Sequence, residues 1–182
     1  MSHKILLIDG YSIINRAFYG IRELTNSEGL HTNAIYGFLN IFFSTWSKVQ
    51  PDHVLVAFDV KQKTFRHELY SEYKGTRKKM PDELMEQVPV LKDLLHAMHI
   101  RTVELPGYEA DDLLGTYARI AREQDLDVVI LSGDRDLLQL AKDRVMILIP
   151  KTKAAGTEYE EYFAKDVLER YQVIIDQYGR TR

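Results

Sequence analysis

Five short runs rich in Val, Ile and Leu, at residues 4–8, 53–58, 101–104, 128–131 and 145–149, alternate with amphipathic stretches of helical length. That alternation constrains the fold more than any other feature. Apolar runs without a polar alternate face suit strands buried on both sides, so the pattern predicts an α/β fold with a mostly parallel central sheet. Helices are expected from Thr32 or Asn33 as cap through residues 34–49, from Asp82 behind Pro81, over 109–123 and over 134–140. Pro89 falls inside the stretch after Asp82, which predicts a break near Gln87 and a second helix over 89–98. At 182 residues the chain suits roughly one domain. No repeat or Gly/Ser linker divides it.

Composition closes off several classes. The chain has no cysteine, which removes disulfides, thiolate zinc sites, iron–sulfur clusters and cysteine nucleophiles. No apolar run reaches membrane-spanning length, and the run after Lys4 is too short for a secretory signal, so a cytoplasmic protein with no membrane partner is expected. Net charge is only −3, yet it is unevenly spread. Residues 61–79 hold seven Lys or Arg against Glu68 and Glu72, whereas residues 104–136 hold nine acids against Arg119, Arg122 and Arg135.

In open α/β sheets ligands sit beyond the carboxyl ends of the strands. Here those ends are acidic. Asp9 and Asp59 directly end two runs, Asp134 and Asp136 follow a third, and Glu109, Asp111 and Asp112 lie a few residues past a fourth. Glu109, Asp111 and Asp134 also fit helix caps or dipole partners. The coincidence at four strand ends is what points to a site. Seven like charges on one edge call for a bound cation, and without Cys or paired His the donors favour Mg²⁺ or Mn²⁺ over zinc. His31, His53, His67, His96 and His99 lack ligand spacing and are read as surface or packing residues. Tyr36, Phe38, Phe42, Phe43 and Trp46 fall on a helical repeat and are read as core.

The basic strip interleaves Phe65, Tyr70 and Tyr73 with Lys61, Lys63, Arg66, Lys74, Arg77, Lys78 and Lys79. Cations among aromatic faces suit nucleic-acid phosphates and unstacked bases, although a plain solvated loop gives the same composition. A strip emerging just after Asp59 would overhang the carboxylates, the arrangement needed for metal-assisted phosphodiester hydrolysis.

An ordered set of motifs resembles a known family. Leu7-Ile8-Asp9-Gly10-Tyr11-Ser12, Arg16-Ala17-Phe18, Thr32-Asn33-Ala34-Ile35-Tyr36-Gly37-Phe38 and Ala57-Phe58-Asp59 come first. Thr64-Phe65-Arg66-His67-Glu68-Leu69-Tyr70, Tyr73-Lys74-Gly75-Thr76-Arg77, Leu105-Pro106-Gly107-Tyr108-Glu109-Ala110-Asp111-Asp112 and Ser132-Gly133-Asp134-Arg135-Asp136-Leu137-Leu138-Gln139-Leu140 follow. Together they resemble the 5′→3′ exonuclease domain of bacterial DNA polymerase I, within the flap endonuclease group, over residues 1–173. The resemblance implies a PIN-like three-layer fold with a basic helical arch at about 61–80. It further implies divalent-metal-dependent removal of 5′ flaps, single-stranded 5′ ends and RNA primers from DNA in replication and repair.

By the same resemblance Asp9, Glu109, Asp111, Asp112 and Asp134 build the first metal site, with Asp59 close by and Asp136 toward the second. Lys74 and Arg77 reach the scissile phosphate, with Arg16 near the same place. Tyr73 stacks on a base, and Lys61, Lys63, Arg66, Lys78 and Lys79 contact nucleic acid. After Val173 the family continues into a Gly-Asp-x-Ser-Asp-Asn segment and a duplex-gripping helix–three-turn–helix, whereas residues 174–182 diverge. Impaired catalysis is therefore expected, with a catalytically weak DNA-binding module as the alternative. A magnesium-dependent phosphatase or receiver-like domain also places Asp at strand ends, but leaves the basic strip unexplained.

Overall fold

The computed structural model describes residues 3–60, 79–153 and 156–171. The elements, in chain order, are β1 (Lys4–Asp9), α1 (Gly10–Gly20), α2 (Asn33–Val49), β2 (His53–Ala57), α3 (Asp82–Met85), α4 (Gln87–Ala97) and β3 (Arg101–Val103). There follow α5 (Ala110–Glu123), β4 (Asp127–Leu131), a 3₁₀ helix (Arg135–Leu140), β5 (Val145–Lys153), β6 (Gly156–Tyr162) and α6 (Ala164–Tyr171). The sheet runs β3-β2-β1-β4-β5-β6. Its first five strands are parallel, and β6 is antiparallel to β5. The expected fold class therefore holds.

Alternation along the buried strands builds a core on each face. Leu6 and Ile8 of β1 pack with Ile13, Ile14, Phe38, Phe42 and Leu91, from α1, α2 and α4. Leu7 packs the other way, with Leu113 and Leu114 of α5, Leu137 and Leu138 of the 3₁₀ helix, and Val167 of α6. The result is three layers, with the sheet in the middle. Strand order reverses at β1, which has β2 on one side and β4 on the other. Ligand crevices open at such a switch point, beyond the carboxyl ends of the strands.

Helix α1, which was not among the expected elements, forms because Asp9 caps it by accepting the Ser12 N–H at 3.0 Å. Three local expectations need correction. The break near Gln87 falls at Glu86, so α4 starts two residues earlier than Pro89, which sits in its first turn, where a missing N–H is harmless. Thr32 makes no side-chain cap bond to α2. Of the aromatic repeat, Phe38 and Phe42 are buried, but Tyr36, Phe43 and Trp46 are exposed; the apolar stripe of α2 is one face wide, and these three lie off it. The strand β6 and helix α6 carry polar sequence and were not among the expected elements. Residues 61–78 of the expected arch at about 61–80, and the tail at 174–182, lie outside the described residues.

The α2 cap is supplied from a distance. The buried Gln87 side chain accepts N–H bonds from Ala34 at 2.8 Å and Ile35 at 3.3 Å, and donates to Asn33 Oδ1 at 3.1 Å and the Glu83 carbonyl at 2.8 Å. Asn33 in turn donates to the Phe18 carbonyl at 3.1 Å, near the end of α1. One amide pair thus joins α1, α2, α3 and α4. Outside, His31 Nδ1 meets Glu86 Oε1 at 2.6 Å, which raises the His31 pKa.

Replacing Gln87 by Leu keeps the volume but strands buried N–H groups, at a cost of about 2–3 kcal/mol. The midpoint of thermal unfolding should fall by about 5–10 °C for a chain of this size. A midpoint within about 1 °C of the parent would mean that α2 does not depend on this cap.

Candidate metal centre

The carboxyl edge of the sheet borders a cavity of about 840 Å³, lined by Asp9, Asp59, Glu109, Asp111 and Asp134 together with Ser12, Arg16, Tyr19 and Lys79. The five acids come from the ends of β1 and β2, the start of α5, and the turn after β4. Asp112 and Asp136 are outside that lining. Asp112 accepts the Glu109 N–H at 3.0 Å, half of a capping box, and Asp136 is exposed beside Asp134. Of the candidate nucleic-acid-binding residues, Lys61, Lys63, Arg66, Tyr73, Lys74, Arg77 and Lys78 lie outside the described residues.

Three of the lining carboxylates, Asp9, Asp59 and Asp134, are held by backbone or hydroxyl donors. Asp9 is 6% exposed and uses both oxygens, accepting Ser12 N–H and, at 2.9 Å, the Ser132 hydroxyl. Asp59 accepts the Ala110 N–H at 2.6 Å, which ties the end of β2 to the first turn of α5. Asp134 caps the 3₁₀ helix by accepting the Asp136 N–H at 2.9 Å. Ser132 also accepts the Asp134 N–H at 3.0 Å, and Ser12 accepts the Gly133 N–H at 2.8 Å. Two serines therefore lock the β4 turn to the start of α1. In the sequence both appear only as flanks of acidic motifs; the available signal is that Ser12 stands three residues, and Ser132 two residues, from an acid at a strand end.

Gly10 allows the close approach behind Asp9, since a Cβ there would lie 2.4 Å from the buried Phe58 ring. The ring also packs edge-on to Tyr11, at 5.5 Å between centroids. Residue 10 is thus held small by the side chain that precedes Asp59.

Electrostatics agree with crowding. Burial, first, and then the charges of Asp9, Asp134, Asp59 and Glu109 push the Asp111 carboxyl up to about 7. Burial also pushes Asp9 up to about 6, against the pull of its Ser12 and Ser132 bonds, with Asp59 and Asp134 adding to the rise. Arg16 is the half-buried cation on this wall, beside the exposed Lys79; burial lowers the Arg16 pKa, and its Nε–H is buried without a partner. Such a donor fits an incoming anion. Among the described residues no three acidic or imidazole side chains form a ready ligand shell. Hard oxygen donors that repel one another fit a hard divalent cation, which would relieve the repulsion as it drew them in.

Comparisons with known proteins point one way. The family model described as 5′-3′ exonuclease, N-terminal resolvase-like domain, matches residues 4–172. The chain is 46% identical over 171 residues to DNA polymerase I of Geobacillus stearothermophilus, covering 94% of this chain and 19% of that protein. It is 44% identical over 180 residues to DNA polymerase I of Bacillus subtilis strain 168, covering 97% and 20%. The chain thus spans about one-fifth of the length of these relatives. Among solved structures, the bacteriophage T5 5′-exonuclease with bound zinc superposes with a TM-score of 0.71 at 24% identity, covering 97% of this chain and 64% of that one. The catalytic core of Rad2 in complex with DNA substrate gives 0.53 at 15% identity, covering 97% and 52%. Identities this low establish a shared fold.

In the absence of metal, Asp9 and Asp111 have folded-state pKa values above the ordinary 3.8. Their contribution to stability is complete below about pH 4 and is lost as pH rises through about 6 and about 7. In chelator, Asp111→Asn should therefore raise the melting temperature at pH 8, by about 2–4 °C per kcal/mol of repulsion relieved. At pH 5 the rise should be smaller, because only part of the contribution has been lost there. Equal effects at the two pH values would show that Asp111 does not sit in a field of like charge.

Proposed function

The chain belongs to the 5′-3′ exonuclease, N-terminal resolvase-like domain family, and from that premise we propose that it is the catalytic portion of a divalent-metal-dependent 5′ nuclease acting on DNA. The observation that carries this reading is the convergence of five carboxylates from four chain segments on one cavity wall that also holds Arg16 with an unpartnered Nε–H. Phosphodiester hydrolysis needs that combination of acidic donors and a fixed cation.

In this reading Asp9, Glu109, Asp111 and Asp134 hold Mg²⁺ or Mn²⁺, with Asp59 beside them and Asp112 and Asp136 reaching the site from its edge. When bound, such an ion lowers the pKa of a coordinated water and neutralises charge on the phosphoryl oxygens. The protein's part is positional. Arg16 offers its Nε–H to a phosphate oxygen, and Lys79 at the cavity rim draws the strand toward the acids. Lys74 and Arg77, carried by the strip that the resemblance makes an arch, take the scissile phosphate. Lys61, Lys63, Arg66 and Lys78 hold the flanking backbone, and Tyr73 stacks on an exposed base. The substrates are 5′ flaps and single-stranded 5′ ends of DNA, with RNA primers among them, as in replication and repair. No described helix is long and apolar enough to cross a membrane.

A 5′-labelled flap DNA at low salt, in Mg²⁺ or Mn²⁺, tests the proposal. Product should form, disappear in chelator, and form on the order of 100-fold more slowly in Asp111→Asn, as loss of about 3 kcal/mol of charge stabilisation implies. The flap should remain bound in a band-shift gel. Binding without product in the parent protein would instead make this a DNA-binding module that kept the family's fold.

A further inference from the structure

Arg135 stands between Asp134 and Asp136 in sequence, yet it does not line the cavity. Its guanidinium turns to the far side of the turn. There Nη2 donates to Glu160 Oε2 at 2.7 Å, and Nη1 donates to the Tyr171 hydroxyl at 2.7 Å and to the Tyr162 hydroxyl at 3.3 Å. The ring of Tyr162 lies 6.0 Å from the guanidinium carbon. One arginine thereby joins the 3₁₀ helix to both β6 and α6.

Glu160 is the hub of this anchor. Its other oxygen takes Lys151 at 2.8 Å and Arg170 at 3.3 Å, and Arg170 also meets the Tyr162 hydroxyl. A single carboxylate therefore separates three cations, which would repel one another without it. The same cations, Lys151 foremost, hold the Glu160 pKa down at about 2, so the anchor is intact across the neutral range.

On its inner side the turn is tied to the site by Asp134 N–H to Ser132, Ser132 to Asp9, and Gly133 N–H to Ser12. A six-residue 3₁₀ helix has poor internal hydrogen bonds and takes its orientation from such outside contacts. We propose that Arg135, fixed by Glu160 and Tyr171, is a positioning residue that sets the orientation of the Asp134–Asp136 turn toward the metal. This rests on the reading of Asp134 and Asp136 as metal donors. It assigns to β6 and α6, which carry no lining residue of the cavity, a part in shaping it.

The test is Mn²⁺ binding by the full chain, read from the electron paramagnetic resonance signal of free Mn²⁺, with flap cleavage measured alongside. Arg135→Ala and Glu160→Gln should each weaken Mn²⁺ binding about 10-fold, the usual effect of losing a group that orients a ligand. They should lower kcat while leaving the flap KM near that of the parent. Arg135→Lys keeps one bond to Glu160 and should recover part of the loss. Tyr171→Phe, which removes only a hydroxyl, should give a smaller loss in the same direction and serves if Arg135→Ala does not fold. Arg119→Gln, which breaks an exposed ion pair on α5, is the control and should change nothing. Parent-like Mn²⁺ binding in folded Arg135→Ala, or in Tyr171→Phe and Glu160→Gln together, overturns the inference alone. Failure of the parent protein to bind Mn²⁺ overturns the metal reading and this inference with it.

Discussion

Like charges must be held side by side, and the rest of the structure is arranged around that constraint. Five acids share one cavity wall, and two of them, Asp9 and Asp111, are pushed up by burial and by neighbouring carboxylates. Carboxylates on mobile loops would swing apart into water. Here each sits where a regular element starts or stops. Asp9 caps α1, Asp59 is clamped to the first turn of α5, and Asp134 caps the 3₁₀ helix. The helix N-termini contribute N–H donors and positive dipole ends, which offset part of the repulsion before any cation arrives. Cap and candidate ligand are therefore not competing descriptions of these residues. Capping fixes one lone pair of a carboxylate and leaves others for a ligand.

Parallel strands make this possible. Acids from four chain segments can lie on one edge only if the strands preceding them all point the same way, and each return crossing then requires a helix on one face or the other. The two cores are the consequence: Leu6 and Ile8 face one helical layer while Leu7 faces the second. The reversal of strand order at β1 leaves the crevice between the ends of β1 and β4 uncovered by a crossing. The two-serine link crosses that gap. Ser132 bridges Asp9 and the Asp134 N–H, so a hydroxyl ties together the chain segments that leave these two neighbouring strand ends.

What could be read from the one-dimensional chain follows from the range of each interaction. An apolar run ending in Asp is a local pattern, so all five parallel strands and the acids at their ends were legible. Spacing along the chain does not distinguish Asp112 and Asp136, which lie outside the cavity lining, from the five acids that line it. Helix α1 was hidden by Asp9-Gly10, a pair that resembles a turn until the Ser12 N–H is seen to close the cap. The α2 cap could not be read locally at all, because Gln87 reaches Ala34 across more than fifty residues. Tyr36, Phe43 and Trp46 have helical spacing like Phe38 and Phe42; only the position of the sheet decides which aromatics are covered.

The polar end of the chain shows the same limit from the other side. Gly156–Tyr162 and Ala164–Tyr171 lack the apolar density of the central strands, and their cohesion comes from charge: Glu160 with Lys151, Arg135 and Arg170, and two tyrosine hydroxyls between the guanidiniums. Networks of that kind have no period and leave no sequence signature. Surface ion pairs taken singly contribute little, but a carboxylate shared by three cations is different, because its loss converts attraction into mutual repulsion. That geometry makes a polar hairpin and a short helix a brace for the turn next to the site, and it explains how elements without a place in either the strand-end pattern or the acidic cluster bear on both.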